Sequence, residues 1–329
     1  MSQASLRERV VEADWRTLLR NPVVLSLLVL AGLFLVGNLV APGFASYGSL
    51  INTLRIAAFL GVIAAGQTIV ILGGGEGIDL SLGKIATFAA VVLAQVSQGD
   101  NQRLLLAIGA ALAYCALIGL ANGIGVAYLR IPPLVMTLGM VAVITGIVRV
   151  YSGGQPEGRA PVLLRQIVNS TTIGGIRGSV WIWLVVAVFT IWLLRRTTFG
   201  RRVYSLGANR EASYLAGISV QRNLVLLYVS ASLFAALGGV MLVGFTGTAS
   251  INIADQYQLI SIAAVVIGGT TLAGGIGGYL GTAIGAVVLQ TLTNLLVVLN
   301  IPSAGRQVVN GIILVVLLSL YGRQRRLRQ

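Results

Sequence analysis

Long runs of apolar residues separated by short polar segments constrain the fold of this chain more than any other feature. The clearest runs cover residues 22–40, 56–74, 104–129 and 224–245. A run of about 20 apolar residues is long enough to cross the hydrocarbon core of a bilayer as a helix. Helices satisfy all their backbone hydrogen bonds internally, which a segment surrounded by lipid requires. The sequence therefore predicts an all-α, polytopic integral membrane protein.

The charge content supports a membrane protein and excludes several other classes. Charged residues are only 10% of the 329 residues, whereas an ordinary soluble domain has about 25%. The net charge of +14 would suggest a nucleic-acid partner in a soluble protein. Here the basic residues concentrate at the ends of apolar runs, as the positive-inside rule requires, so no nucleic acid is expected. The chain has no histidine, and its one cysteine, Cys115, lies in an apolar run, so no metal site is expected either.

The hydropathy pattern predicts a bundle of about ten membrane spans with both termini inside. Most arginines fall on the predicted inner side, and arginine bias sets the orientation of a membrane protein. The outer loop 152–178 carries three arginines and fits this rule least well. The eighth and ninth spans are short and interrupted by glycines, and they could be one hairpin that does not fully cross, which leaves eight spans as the alternative. The predicted spans are roughly 22–40, 52–73, 82–98, 104–128, 134–151, 179–195, 224–245, 259–273, 278–299 and 304–321.

The spans divide the chain into one membrane domain with two basic flanks. Residues 1–21 are predicted to be a cytoplasmic amphipathic segment rather than a cleaved signal peptide, because no small-residue cleavage site follows. Residues 22–321 form the single transmembrane domain, surrounded by membrane lipid. Residues 322–329 form a basic cytoplasmic tail.

No group of residues with catalytic chemistry is present, so the chain is not expected to be an enzyme. The stretch GGGEGIDLSLGKIAT at 73–87 imitates a phosphate-binding loop. That motif needs a glycine five residues before Gly-Lys and a hydroxyl residue after it. Ile78 and Ile85 stand at those two positions. The chain is therefore expected to bind no cofactor, and any ATP that drives transport must bind another subunit.

The same stretch predicts a break in a membrane helix at Gly75, Glu76, Gly77 and Asp79. Carboxylates at membrane depth are rare and usually functional, and a broken helix there must be covered by protein or line a water-filled cavity. The alternative is a cytoplasmic turn in which both carboxylates are solvated and Asp79 caps a helix from Leu80. A proton-coupled carrier would need the first interpretation.

Polar residues within the predicted spans are candidates for lining a passage for a neutral, hydroxyl-rich solute. The alternative is hydrogen bonding between helices, worth under about 1 kcal/mol for each residue. A second glycine-rich break at 267–275 has a short sequence similarity to Gly66-Gln-Thr in the second span. Paired interruptions of this kind are typical of a transport pathway. The pathway candidates are Gln67, Thr68, Asn122, Thr137, Gln290 and Asn294.

The longest predicted inner loop, 195–223, contains the segment NREASYLAGI, which predicts a short helix. Asn209 is suited to its N-cap, Glu211 to its first turn and Gly217 to its end. Apolar residues such as Leu215 would be unusual in a merely solvated connector. The pattern therefore favours docking of this helix into a groove on a partner protein.

Four ordered motifs of this chain resemble those of the permease subunits of ribose-type bacterial ABC sugar importers. The resemblance covers about residues 25–320 and does not specify the sugar. The motifs are GIDLSLG at 77–83, IPPLVMTLG at 131–139, LGANREASYLAGI at 206–218 and VVIGGTTLAGGIGGYLGTAIGA at 265–286.

The resemblance implies an inner-membrane subunit that acts as a homodimer or with a similar permease. It also implies a cytoplasmic ABC ATPase that binds ATP and Mg, and a periplasmic sugar-binding protein. Ala208 and Ala216 replace the family's usual glycine and serine, and each change exchanges one small side chain for another. Carried onto this sequence, the coupling helix that receives the ATPase motion would be Asn209, Arg210, Glu211, Ala212, Leu215, Gly217 and Ile218.

The function that the resemblance implies is ATP-driven import of a ribose- or xylose-like monosaccharide or a related polyol. Two alternatives stay open: a secondary transporter coupled to protons or sodium, and an ABC permease for nucleosides or signalling sugars. The outer loops 41–51, 152–178 and 246–258 would meet the binding protein. Among them, 246–258 is the most polar and the best candidate for a gate or a docking surface.

Overall fold

The computed structural model describes residues 22–75 and 77–326, and within them it is built from helices without a β-strand. The N-terminal segment 1–21, Glu76 and the last three residues of the predicted tail lie outside the described residues. The helices are α1 (Pro22–Val40), α2 (Tyr47–Leu72), α3 (Leu82–Ser97), α4 (Leu104–Ala127), α5 (Pro133–Ser152), α6 (Val162–Asn169), α7 (Gly178–Arg196), α8 (Thr198–Ala208), α9 (Arg210–Leu215), α10 (Val220–Thr246), α11 (Tyr257–Ile267), α12 (Tyr279–Val298) and α13 (Ser303–Arg326).

The prediction of an all-α polytopic membrane protein is confirmed. Seven of the described helices are long and apolar enough to cross a bilayer, namely α1, α2, α4, α5, α7, α10 and α12. Helices α3 and α11 and the apolar part of α13 are shorter. Helix α13 continues to Arg326, so the beginning of the predicted basic tail extends the last helix.

Contacts between loops show which helix ends lie at the same end of the bundle. At the end called inner from the arginine bias, Gly275 N donates to Leu72 O (3.0 Å). At the outer end, Ala160 N donates to Gly247 O (2.9 Å). The chain thus leaves α10 at the outer end and leaves α11 at the inner end. Seven of the described helices are as long as a membrane span and three apolar helices are shorter, so the count of ten spans, with eight as the alternative, stays a prediction.

The eighth crossing differs from its prediction. Its helix, α11, ends at Ile267 and not at 273, and its 11 residues span only about 16 Å at 1.5 Å per residue. The rest of the crossing is the non-helical segment 247–256, which comes before the helix. Helix α11 ends where Gly269 takes a φ of +84°, in the left-handed region that favours glycine, and Gly268 before it packs against the backbone of Gly281 on α12, where a Cβ would overlap the Gly281 carbonyl. The glycine-rich residues 268–278 form the loop at the inner end.

Helix α10 lies at the centre of the bundle and packs against α2, α3 and α4. Glycines allow these close approaches, since lipid offers no hydrophobic drive to bring helices together. A Cβ on Gly119 would lie 2.7 Å from Tyr228 O, and one on Gly123 would lie 2.7 Å from Val225 Cα. Helices α1 and α5 are peripheral and expose most of their large apolar side chains.

Two helices were not predicted within the long loops. Outer loop 152–178 contains α6, whose Leu164 and Val168 are buried against Gly244 of α10. Inner loop 195–223 contains α8 in addition to the predicted short helix. Thr197 caps α8, where its Oγ1 accepts from Gly200 N (3.2 Å). These helices are short and polar on one face, so hydropathy alone does not separate them from loops.

Candidate functional site: inner loops and broken helices

Helix α9 has the capping geometry that the sequence predicts. Asn209 has extended backbone angles, and its Oδ1 accepts a hydrogen bond from Ala212 N (3.0 Å). Gly217 follows the helix with a φ of +80°, in the left-handed region that favours glycine. Glu211 lies in the first turn. The predicted start and end of this helix are confirmed.

The outward face of α9 is apolar and uncovered. Tyr214 is 66% exposed and Leu215 is 79% exposed, and Ala212 beside them is exposed as well. This face belongs to an inner loop, beyond the ends of the membrane helices. An apolar surface held in water in this way suits a protein partner.

The inward face of α9 is tied to the break between α2 and α3. Arg210 donates from Nη2 to Gly74 O (2.9 Å), and its guanidinium lies directly against Gly75, which has a φ of +63°. A side chain on Gly75 would occupy the place of the guanidinium. Burial lowers the pKa of Arg210 from its ordinary value. Ser213 is also buried, and its Oγ lies 2.7 Å from Ser205 Oγ of α8.

Four glycines bring three inner segments together backbone to backbone, and we call them the glycine junction: Gly74, Gly207, Gly274 and Gly275. A Cβ on Gly207 would overlap Leu72 O and Gly275 N. A Cβ on Gly274 would overlap the backbone of Gly74. The three segments are the end of α2, the end of α8 and the α11–α12 loop. Because their backbones touch, none of them can shift relative to the others without breaking these contacts.

Tyr204 adds a second link between α8 and the α11–α12 loop. Its hydroxyl donates to Gly277 O (3.0 Å). Burial raises the pKa of Tyr204 above its ordinary value, so the hydroxyl stays a donor at neutral pH. The helix that carries α9 is thus attached to the α11–α12 loop through a side chain as well as through glycines.

The break between α2 and α3 buries the carboxylate of Asp79. Asp79 is fully buried, which excludes the solvated-turn alternative for this residue, and α3 begins at Leu82 rather than at Leu80. Asp79 Oδ1 accepts from Ser81 N (2.8 Å), and Ser81 Oγ accepts from Asn122 Nδ2 (3.0 Å). Among the described residues, none donates to Asp79 Oδ2.

Gln67 supports the same break from α2. With its amide nitrogen facing the carbonyl, Gln67 donates to Asp79 O (2.9 Å) and accepts from Asp79 N (3.3 Å). Backbone groups that leave a helix at membrane depth need such partners, because lipid supplies none. Gln67 therefore replaces the helical hydrogen bonds that Asp79 lacks.

The sequence analysis missed an ion pair that joins the two broken helices. Lys84 lies in the first turn of α3, and its Nζ is 2.7 Å from Asp255 Oδ2, in the segment that precedes α11. The same segment is fixed to α3 by Ala254 N, which donates to Thr87 Oγ1 (3.2 Å). The signal available in the sequence was a lysine three residues into an apolar span and an aspartate just before another.

Comparison with known proteins identifies the family to which the chain belongs. Residues 49–318 match the family described as branched-chain amino acid transport system / permease component. The chain belongs to this family of permeases. The match spans all four motifs of the sequence analysis.

Individual relatives agree with the motif resemblance. The ribose import permease of Escherichia coli is 34% identical over 88% of this chain and 90% of its own length. The galactose/methyl galactoside import permease of Haemophilus influenzae is 29% identical over 92% and 93%. The autoinducer 2 import permease of Escherichia coli is 30% identical over 93% and 88%. The resemblance to ribose-type permeases is confirmed. No solved structure matched the chain.

In this permease, the six pathway candidates take part in contacts between helices. Four of them are fully buried: Gln67, Thr68, Asn122 and Thr137. Thr68 Oγ1 donates to Thr282 Oγ1 of α12 (2.9 Å), and Thr137 Oγ1 donates to Ile78 O in the break (3.4 Å). The partly buried pair on α12 continues to α2: Gln290 donates to Asn294 (2.9 Å), which donates to Thr53 (2.8 Å). Their role in lining the pathway stays a prediction.

Proposed function

We propose that this chain is the membrane-spanning subunit of an ATP-driven importer that moves a neutral monosaccharide across the bacterial inner membrane. The observation that carries the proposal is helix α9, an exposed apolar helix outside the membrane that is attached through Arg210 and the glycine junction to both broken helices. A helix placed in this way can pass the movement of a partner to the membrane domain.

The partner at α9 is a cytoplasmic ABC ATPase, which holds ATP and Mg. The chain has no phosphate-binding loop of its own, so hydrolysis takes place in that subunit. Ala212, Tyr214 and Leu215 form the docked face, and Asn209 fixes the helix start. Arg210 transmits the displacement inwards, because it is the side chain of α9 that reaches the α2–α3 break.

The partner at the outer end is a periplasmic sugar-binding protein. A cleft of about 270 Å³ at this end is lined by Tyr47, Asn52, Arg55 and Arg177 among others. Arg55 stacks on Phe245 at 4.6 Å and donates to Asn169 (2.9 Å), which fixes its charge in place. A basic cleft of this kind suits carboxylates on a partner. A second permease, identical or similar, completes the membrane part.

The solute class follows from the relatives rather than from one contact. The relatives named above import ribose, galactose and autoinducer 2, whereas the family description names branched-chain amino acids. Because the alignments to the sugar permeases cover nearly the whole of each chain, we assign a monosaccharide. An importer of a signalling sugar is the second candidate, favoured by the autoinducer 2 relative.

The test is uptake by vesicles that contain this chain, its ATPase and its binding protein. We expect uptake of a labelled sugar, with ribose and galactose tried first, that requires ATP on the side of α9 and survives collapse of ion gradients. Uptake that follows a proton or sodium gradient without ATP would show a secondary transporter. Uptake of leucine without any sugar would show an amino-acid permease.

A further inference from the structure

The Lys84–Asp255 ion pair lies near the middle of the membrane. Lys84 is about 20 Å from the outer end of α3 at Ser97, at the helical rise of 1.5 Å per residue. Asp255 precedes α11, whose last residue, Ile267, lies at the inner end about 18 Å away on the same scale. The hydrocarbon core is about 30 Å thick. Both distances therefore place the pair about 10 Å or more from either surface of the core.

Asp255 is partly open at this depth. Its side chain is 37% exposed, whereas that of Lys84 is 10% exposed. Two helix N-termini, those of α3 and α11, converge here and favour nearby negative charge. A carboxylate turned towards acyl chains at mid-membrane is strongly unfavourable, and such residues face a water-filled cavity or other protein. The opening beside Asp255 therefore does not face lipid.

A strip of exposed polar residues leads from the outer end to this opening. We call Thr248, Ser250, Asn252, Asp255 and Gln256 the polar strip. Thr248, Ser250, Asn252 and Gln256 are exposed, and the whole strip lies on non-helical backbone. Backbone of this kind is stable at membrane depth only where protein buries it or where it lines water. Contacts between helices in a membrane also use Ser, Thr, Asn and Gln side chains, so a strip covered by a second subunit is the alternative, and it would be closed to reagents from the outer side.

We propose that the polar strip and the Lys84–Asp255 ion pair form a wall of the solute pathway, from the outer mouth to mid-membrane. The solutes that fit this wall are neutral and hydroxyl-rich, because amide, carboxylate and ammonium groups exchange hydrogen bonds with hydroxyls in both directions. The identity of the solute as a sugar rests on the proposed function. The ion pair closes the inner end of the wall, where it joins the two broken helices.

The experiment uses cysteine labelling in the complete importer. Cys115, the single cysteine of the chain, is fully buried and is first replaced by serine. Asn252→Cys and Gln256→Cys then place a thiol on either side of Asp255 without breaking the ion pair. Leu117→Cys on α4 is the matched control, since Leu117 is 60% exposed and lies about 20 Å from the outer end of its helix. The reagent is a membrane-impermeant trimethylammonium thiosulfonate added from the outer side.

We expect Asn252→Cys and Gln256→Cys to be modified and to lose uptake of labelled ribose as a result. Leu117→Cys should stay unmodified and active, because a thiol in lipid does not ionise. Absence of modification in both strip variants, with the protein inserted, overturns the proposal, and so does modification that leaves uptake unchanged. If the natural protein in the same complex takes up no sugar, the proposed function fails, while the labelling pattern still shows whether the strip faces water.

Discussion

The permease breaks two membrane helices, and the two breaks have opposite character. The break between α2 and α3 is sealed: Asp79 is fully buried, and Gln67 pairs with its backbone. The break between α10 and α11 is open, with exposed Asn252 and Gln256 beside a partly exposed Asp255. The sealed break lies over α9 and suits the transmission of movement. The open break suits contact with solute, and Lys84 connects the two.

The largest effect is expected at the open break. Asp255→Asn leaves the ammonium of Lys84 uncompensated inside the membrane, which should lower the free energy of unfolding by about 2–3 kcal/mol, less than for a fully buried pair because Asp255 is 37% exposed. Lys84→Gln should cost a similar amount. The double variant should recover most of the loss, because neither charge is then left unpaired. Thermal unfolding of the three purified variants measures this coupling.

Additive losses in that double-mutant cycle would contradict the ion pair. Asp100→Asn, at the outer surface, is the matched control. Its partner Arg103 lies 3.7 Å away and both side chains are well exposed. An exposed pair contributes no more than about 1 kcal/mol, so this variant should unfold almost as the natural protein does.

The next effect is expected at the glycine junction. Gly207→Ala forces a methyl group into Leu72 O and Gly275 N, where only backbone could give way. Such overpacking typically costs about 1–3 kcal/mol, and it should separate α8 from the two loops it contacts. ATP-driven uptake should fall further than the unfolding temperature alone explains. Gly139→Ala on α5 is the control, because nothing lies within 4 Å of its Cβ.

A loss of comparable size is expected from Gln67→Leu in the sealed break. The change keeps the volume of the side chain but leaves the N–H and C=O of Asp79 without the partners that Gln67 supplies. Unsatisfied buried polar groups cost about 1–3 kcal/mol each. Gln290→Leu, which removes a partly buried bond to Asn294, should cost less. Equal losses in the two variants would show that Gln67 has no special role in the break.

Hydropathy and capping chemistry predict much of this molecule, because both are local. The seven long apolar helices follow from apolar runs, and the ends of α9 follow from Asn209 and Gly217. The glycine junction was beyond prediction because it joins Gly74, Gly207 and Gly274, which are far apart in sequence. The Lys84–Asp255 ion pair was beyond prediction for a related reason: a lysine near the start of a span is normally a surface anchor, and its partner is far away in sequence.

The smallest effect on stability is expected at the helix that links the sealed break to the partner. Asn209→Ala removes the cap of α9, and loss of such a cap costs about 1 kcal/mol. Asn209→Asp retains an acceptor for Ala212 N and should restore the natural value. Solute-stimulated ATPase activity should follow the same order, since a frayed α9 presents its apolar face poorly. Normal activity in Asn209→Ala would show that the helix start is not needed for docking.

In the proposed importer, movement driven by ATP enters the membrane domain through α9. The most direct test of this route is the solute-stimulated ATPase activity of the assembled importer carrying Leu215→Arg or Glu211→Lys. Both residues are exposed, so the permease should insert normally and unfold within about 0.5 kcal/mol of the natural protein. We expect loss of stimulation in both variants and natural behaviour in a control such as Arg201→Lys on the exposed face of α8. Full stimulation in Leu215→Arg and Glu211→Lys would show that α9 does not receive the movement of the ATPase.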